Sequence, residues 1–95
     1  MPQLDPPLLD ARRRRLLYRA CHRGTQETDL LLGGYVSSRI ANFTVAELDA
    51  LEEVLELPDP ELAEWLTGRQ PIPEAIDTPM LRDIQRAAER TDRAR

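Results

Sequence analysis

Apolar residues recur at three- and four-residue intervals along most of the chain, and the breaks in that rhythm carry residues that start or stop helices. After Asp10, which is suited to cap a helix, Leu16, Leu17, Ala20 and Cys21 make one apolar stripe beside an arginine face. A second helix is expected to begin at Gly24 or Thr25 and to reach about Asn42. Its buried positions would be Leu30, Leu31, Leu32, Tyr35, Val36, Ile40 and Ala41. Gly33-Gly34 interrupts it at a cost of about 2 kcal/mol against two alanines, which marks either a bend or the close approach of another helix backbone. No phosphate-loop pattern surrounds the pair, so close packing is the better reading.

Phe43-Thr44-Val45-Ala46-Glu47-Leu48 reads as a complete helix start, with Thr44 as N-cap, Glu47 closing a capping box and Phe43 stapled onto Leu48. Leu48, Leu51, Val54 and Leu55 continue the period until Pro58 forbids more. Asp59-Pro60-Glu61 then predicts an N-cap, a proline at the first helical position and a first-turn acid. The short fourth helix buries Leu62, Trp65 and Leu66 and closes at Gly68, with Trp65 as a core anchor rather than a ligand-stacking surface. Pro71 and Pro73 mark residues 69–78 as a connector. Asp77 or Thr78 caps a fifth helix that starts at Pro79 and carries Met80, Leu81, Ile84, Ala87 and Ala88 inward. The pattern predicts an all-α fold, a small antiparallel five-helix bundle over residues 10–90. Residues 1–9, with Pro2, Pro6 and Pro7, form an expected tail, and 91–95 an expected frayed end. Leu31, Tyr35, Leu48, Leu51, Leu55, Leu62, Trp65, Leu81 and Ile84 should be largely buried.

Ninety-five residues suffice for one domain of modest stability. Leu, Ala, Glu and Arg dominate and β-branched residues are few, which suits helices. All 13 basic residues are arginines. Six of them lie in residues 1–24 against two acids, a net charge of +4, whereas residues 25–95 carry a net −8. Such asymmetry suits either a solvated acidic face or a partner with charge patches of its own. The Arg12 to Arg15 run is the candidate for nucleic-acid binding, but the overall charge of −4 and aromatics of only 4% argue against it. Eight acids and no arginine lie between Thr44 and Glu64 without calcium-loop spacing, so they read as a solvated face. One cysteine and one histidine allow neither an intrachain disulfide nor a zinc cluster, and fit a reducing compartment. No run reaches the roughly 20 apolar residues of a membrane span, and no secretion signal is evident. The arginine-rich start has a composition like that of a transit peptide, but the first helix pattern runs through it.

The stretch that stands apart is Cys21-His22-Arg23-Gly24-Thr25-Gln26-Glu27-Thr28-Asp29, between the basic and the apolar helix patterns. Gly24 suits a hinge between helices. Arg23 sits at a carbonyl end and Glu27 at an amide end, each favourable by about 0.3–1 kcal/mol. From spacing alone this is a well-capped turn, with a partner-binding display as the alternative.

Arg23-Gly24-x-x-Glu27 with Asp29 after a first helix holding Ala20-Cys21, together with Asp59-Pro60-Glu61-Leu62 leading to Trp65-Leu66, resembles the small five-helix flavinylation factors of succinate dehydrogenase found in bacteria and mitochondria. The resemblance covers roughly residues 12–90. The family usually has a second arginine where this chain has His22, and bulky apolar residues where it has Thr25 and Thr28. The resemblance implies an assembly factor, not an enzyme, that helps attach FAD covalently to the flavoprotein subunit of succinate dehydrogenase or fumarate reductase. It implies that FAD is carried by that client, with no cofactor or metal held stably here and no catalytic residue. It raises the partner-binding reading of the corner, with Arg23 pairing a client carboxylate, Glu27 accepting from client donors and Gly24 admitting the client backbone. His22, Thr25 and Asp29 would contribute beside them. A monomer in the bacterial cytoplasm, or in the mitochondrial matrix if eukaryotic, with no nucleic-acid partner and no membrane insertion, completes the expectation. The competing classes are a regulatory, antitoxin-like protein-binding module without a flavin role, and a direct flavin carrier, for which four aromatic residues are few.

Overall fold

A computed structural model describes the backbone of residues 9–93 and the side chains as far as residue 90. Five α-helices follow one another: α1 (Ala11–Cys21), α2 (Gln26–Arg39), α3 (Val45–Leu55), α4 (Asp59–Leu66) and α5 (Pro79–Arg93). Single 3-10 turns at Ile40–Asn42 and Glu74–Ile76 lead into α3 and α5. No strand occurs among the described residues, as the all-α reading requires. The expected tail lies outside the described residues except for Leu9, which packs against the core and so belongs to the domain. Helix α5 continues past Glu89 to Arg93, and residues 94 and 95 lie outside the described set.

The starts of the helices follow the capping chemistry in most cases. Asp10 accepts from the Arg13 amide, and Thr44 and Glu47 form the full capping box. Thr25 caps α2, one of the two starts expected, and Thr78 rather than Asp77 caps α5 by accepting from Leu81 N at 3.2 Å. Helix α4 is a correction. Pro58 holds the N-cap position, with Asp59 as the first helical residue and Pro60 as the second. Asp59 is thereby released from capping.

Helix α2 is central, packing on α1, α4 and α5, while α3 closes the bundle against α1 and α5. The core gathers Leu16 and Ala20 with Leu32, Tyr35, Val36 and Ile40, the α3 face from Leu48 to Leu55, and Leu62, Leu66, Leu81 and Ile84. Gly33 shows why α2 tolerates a glycine. A Cβ there would stand 2.9 Å from Cys21 Sγ and 3.3 Å from Cys21 Cα, so the end of α1 lies against the glycine backbone. Gly34 makes no such approach and faces open space.

Several expected core positions differ. Leu30 is 58% exposed, Ala41 is exposed and Leu31 is half-buried, because α2 turns only one stripe toward its three neighbours. Trp65 is also half-buried, since the eight-residue α4 seats Leu62 and Leu66 inward and leaves the indole packed at the flank. Ile72, within the proline connector, is buried and closes the core where no helical period announced it.

The charge asymmetry resolves inside the molecule. Arg12 bonds Asp49 at 2.6 Å and Glu52 at 2.9 Å, and Arg19 bonds Glu56 at 2.9 Å, so α1 lays arginines along the acidic face of α3. That face is therefore partly paired rather than simply solvated. Each exposed pair contributes about 0.2–1 kcal/mol. Arg13 reaches the carbonyls of Ile40 at 3.0 Å and Phe43, closing the end of α2.

Candidate functional site

The α1–α2 corner is built from backbone upward. Helix α1 ends at Cys21, Gly24 turns the chain with φ +112°, and Thr25 in extended conformation starts α2. A positive φ of this size is open to glycine and strained for any other residue. The hinge expected at Gly24 is thus present. It is exposed, and no heavy atom lies within 4 Å of the place a Cβ would occupy.

Arg23, expected to pair a client carboxylate, has its guanidinium engaged within the chain. Its Nε donates to Asp59 Oδ1 at 2.5 Å, one terminal nitrogen to the Leu55 carbonyl at 2.8 Å and the other to the Leu57 carbonyl. The side chain is only 10% exposed. All three nitrogens of the planar fork are engaged within the chain, closing the end of α3 and binding the start of α4. The Arg23 amide donates to Asp29 Oδ1 at 2.7 Å, which ties the corner across its own turn. Asp29 is half-buried and committed to that bond.

Thr28 faces inward and Thr25 is exposed. Thr28 is fully buried, and its hydroxyl shares a 2.5 Å hydrogen bond with Thr25 Oγ1, so the one buried polar side chain among the described residues is satisfied. Glu27 is the outward member. Its carboxylate, 45% exposed, accepts from Arg69 at 3.2 Å, while Arg69 also donates to Glu64 at 2.9 Å. Hydrogen bonds to Glu64 first and Glu27 second hold the Arg69 guanidinium more firmly protonated than usual. His22 is exposed, its ring stacked on Tyr18 with centroids 4.0 Å apart, and its Nδ1 donates to the Tyr18 carbonyl at 2.9 Å.

The six candidate residues therefore divide. Gly24, Glu27 and His22 present a surface, whereas Arg23, Thr25 and Asp29 hold the backbone that presents it. Sequence reasoning missed Asp59, because Asp-Pro-Glu is fully explained as a helix start, and missed Arg69, which no local pattern connects to Glu27. No group of three or more His, Cys, Asp or Glu among the described residues is placed to hold a metal ion. Across the bundle lies a cleft of about 660 Å³ lined by Tyr35, Arg39, Phe43, Met80, Asp83 and others. The Tyr35 hydroxyl donates to Asp83 at 2.6 Å, and the Arg39 guanidinium sits 4.3 Å from the centre of its ring. No described helix is long and apolar enough to cross a membrane.

Residues 14–88 match the family described as flavinator of succinate dehydrogenase. The FAD assembly factor SdhE of Acetobacter pasteurianus is 58% identical over 74 residues, covering 78% of this chain and 68% of that protein. Mitochondrial succinate dehydrogenase assembly factor 2 of Mycosarcoma maydis is 38% identical over 77% of this chain, and its counterpart in Dictyostelium discoideum is 34% identical over the same share. The matched stretch spans only 31% and 52% of those two longer proteins. With a family match from the middle of α1 to near the end of α5, this chain belongs to the flavinators of succinate dehydrogenase.

Proposed function

We propose that this protein promotes covalent attachment of FAD to the flavoprotein subunit of succinate dehydrogenase, and of fumarate reductase where that is the client, by docking on the subunit through the α1–α2 corner. The observation that carries this reading is Gly24, an exposed backbone at fixed positive φ with open space over it. A partner main chain can approach there as it cannot over a Cβ. Glu27 lies in the first turn of the helix that follows, and a client donor displaces Arg69 from it at small cost because the pair is exposed. Arg23, through Asp59 and two carbonyls, is the residue that holds the corner rigid for docking.

The chain acts by binding rather than by chemistry. Cys21 is half-buried with its sulfur against Gly33, and Nδ1 of His22 is occupied, which supports a factor without a nucleophile or base of its own. Preferential binding of one client conformation shifts the client toward the state in which its flavin reacts. FAD stays with the client, and the prior engagement of the Tyr35 ring by Arg39 supports that division. The protein works as a monomer, in the cytoplasm if bacterial and in the matrix if mitochondrial.

Co-expression with the flavoprotein subunit, with covalent flavin read by fluorescence on a denaturing gel, tests the reading. Glu27→Ala and Gly24→Arg should each reduce the flavin signal severalfold while the isolated variants remain helical. Gly24→Arg carries a further folding cost of about 1–2 kcal/mol from its φ, so Glu27→Ala decides. Undiminished flavinylation and co-purification with Glu27→Ala return the corner to a capped turn.

A further inference from the structure

Of the arginines on α1, Arg12, Arg13 and Arg19 each have a carboxylate partner. Arg14 bonds only the Leu9 carbonyl, and Arg15 has no hydrogen bond or ion pair among the described residues. Arg15 shares one outward stripe with Tyr18 and His22, at i, i+3 and i+7, and all three are exposed. Tyr18 is 64% exposed, one of only three large apolar side chains so displayed among the described residues, and the His22 ring lies flat upon it. The stripe ends two residues before Gly24. It is thus a free cation beside a rigid aromatic pair, continuous with the open backbone of the corner.

We infer that this face of α1 is a second part of the docking surface, taking an acidic segment of the flavoprotein client; the inference rests on the proposed docking at Gly24 and Glu27. Charge decides the chemistry of the occupant. The unpartnered charge is positive, and every other α1 arginine already meets acid or a carbonyl oxygen within the chain. A carboxylate on the client completes Arg15, and the Tyr18 ring stacked with His22 offers flat area at little entropy cost, tyrosine and arginine being among the residue types that dominate interface energetics. A phosphate backbone is less well served. Arg14 and Arg15 are the two cations of α1 without a carboxylate partner among the described residues, and in a chain of net charge −4 they give few phosphate contacts.

The test is the affinity of the purified apo-flavoprotein subunit for the wild type, Arg15→Glu, Arg15→Lys, Tyr18→Ala and Glu27→Ala at two salt concentrations. Arg15→Glu and Tyr18→Ala should each weaken binding about tenfold or more. Arg15→Lys should retain most of it, and Arg15→Glu should flatten the salt dependence. All are exposed positions, and thermal melts check that the variants stay folded. Wild-type affinity in Arg15→Glu and Tyr18→Ala alongside weak binding by Glu27→Ala overturns this inference and leaves the corner reading standing. The reverse pattern retains the stripe and removes the corner. Failure of the wild type to bind the subunit overturns both. Arg15-dependent binding of single-stranded RNA or of anionic vesicles, with client affinity unchanged by Arg15→Glu, assigns the stripe to another occupant and overturns the inference.

Discussion

Arg23 Nε and Asp59 Oδ1 are 2.5 Å apart and 36 positions apart in sequence, with side chains 10% and 17% exposed. One ion pair therefore joins the α1–α2 corner to the α3–α4 junction, and the same guanidinium satisfies Leu55 and Leu57 carbonyls that the helix end leaves open. Removing Arg23 leaves a largely buried carboxylate and two carbonyls unpartnered. Arg23→Ala should cost about 3 kcal/mol or more. In a domain of this length that is a drop in Tm of well over about 10 °C. Arg23→Lys should recover only part, because an ammonium cannot reproduce the fork. A wild-type melt for Arg23→Ala combined with lost flavinylation would make Arg23 a direct contact after all.

The adjacent glycines of α2 should respond in opposite senses. Gly34 stands mid-helix with nothing within 4 Å of an added Cβ, so Gly34→Ala should stabilise by about 0.5–1 kcal/mol. Gly33→Ala places a methyl 2.9 Å from Cys21 Sγ and 3.3 Å from its Cα, and should destabilise by about 1–3 kcal/mol. Paired thermal melts measure both, and equal shifts would mean that α1 does not rest on Gly33.

The Tyr35 hydroxyl, with Arg86 adding to it, holds the Asp83 carboxyl below its usual range. A depressed folded-state value stabilises above the unfolded value of about 3.9 and is lost as pH falls through the folded value. Asp83→Asn should therefore lower Tm relative to wild type near pH 7, with the gap closing below about pH 4. A gap that stays constant between pH 7 and pH 3 would show that the carboxylate charge is not what matters at this site.

Leu62 is fully buried whereas Trp65 is half-buried at the flank of α4. Leu62→Ala should cost about 2–5 kcal/mol. Trp65→Ala should cost less, despite removing the larger side chain, because part of the indole remains in water when folded. Urea titration of the two variants orders them, and a larger loss for Trp65→Ala would restore the indole as the core anchor.

What the chain determined by itself is what depends on neighbours within a turn or two. The Thr44–Glu47 capping box, the positive φ at Gly24, the stop before Pro58 and the inward stripe from Leu48 to Leu55 are short-range steric and hydrogen-bonding consequences of residue type, so the five helices and most of the core were legible. The division of the corner into presenting and supporting residues was not. Whether Arg23 faces a client or Asp59 depends on where the α3–α4 junction lies. That position follows from how α1 packs on α3 and how closely Gly33 lets Cys21 approach α2. Leu30 reads as core by period alone, and is left 58% exposed because it lies off the stripe that α2 turns toward α1, α4 and α5. Likewise the charge asymmetry of the first 24 residues left a solvated acidic face and a partner with charge patches both open, and packing set Arg12 and Arg19 against the acids of α3 and left Arg15 without a partner among the described residues. Charge pairing over such separations requires the folded backbone, because no local rule brings residue 12 to residue 49.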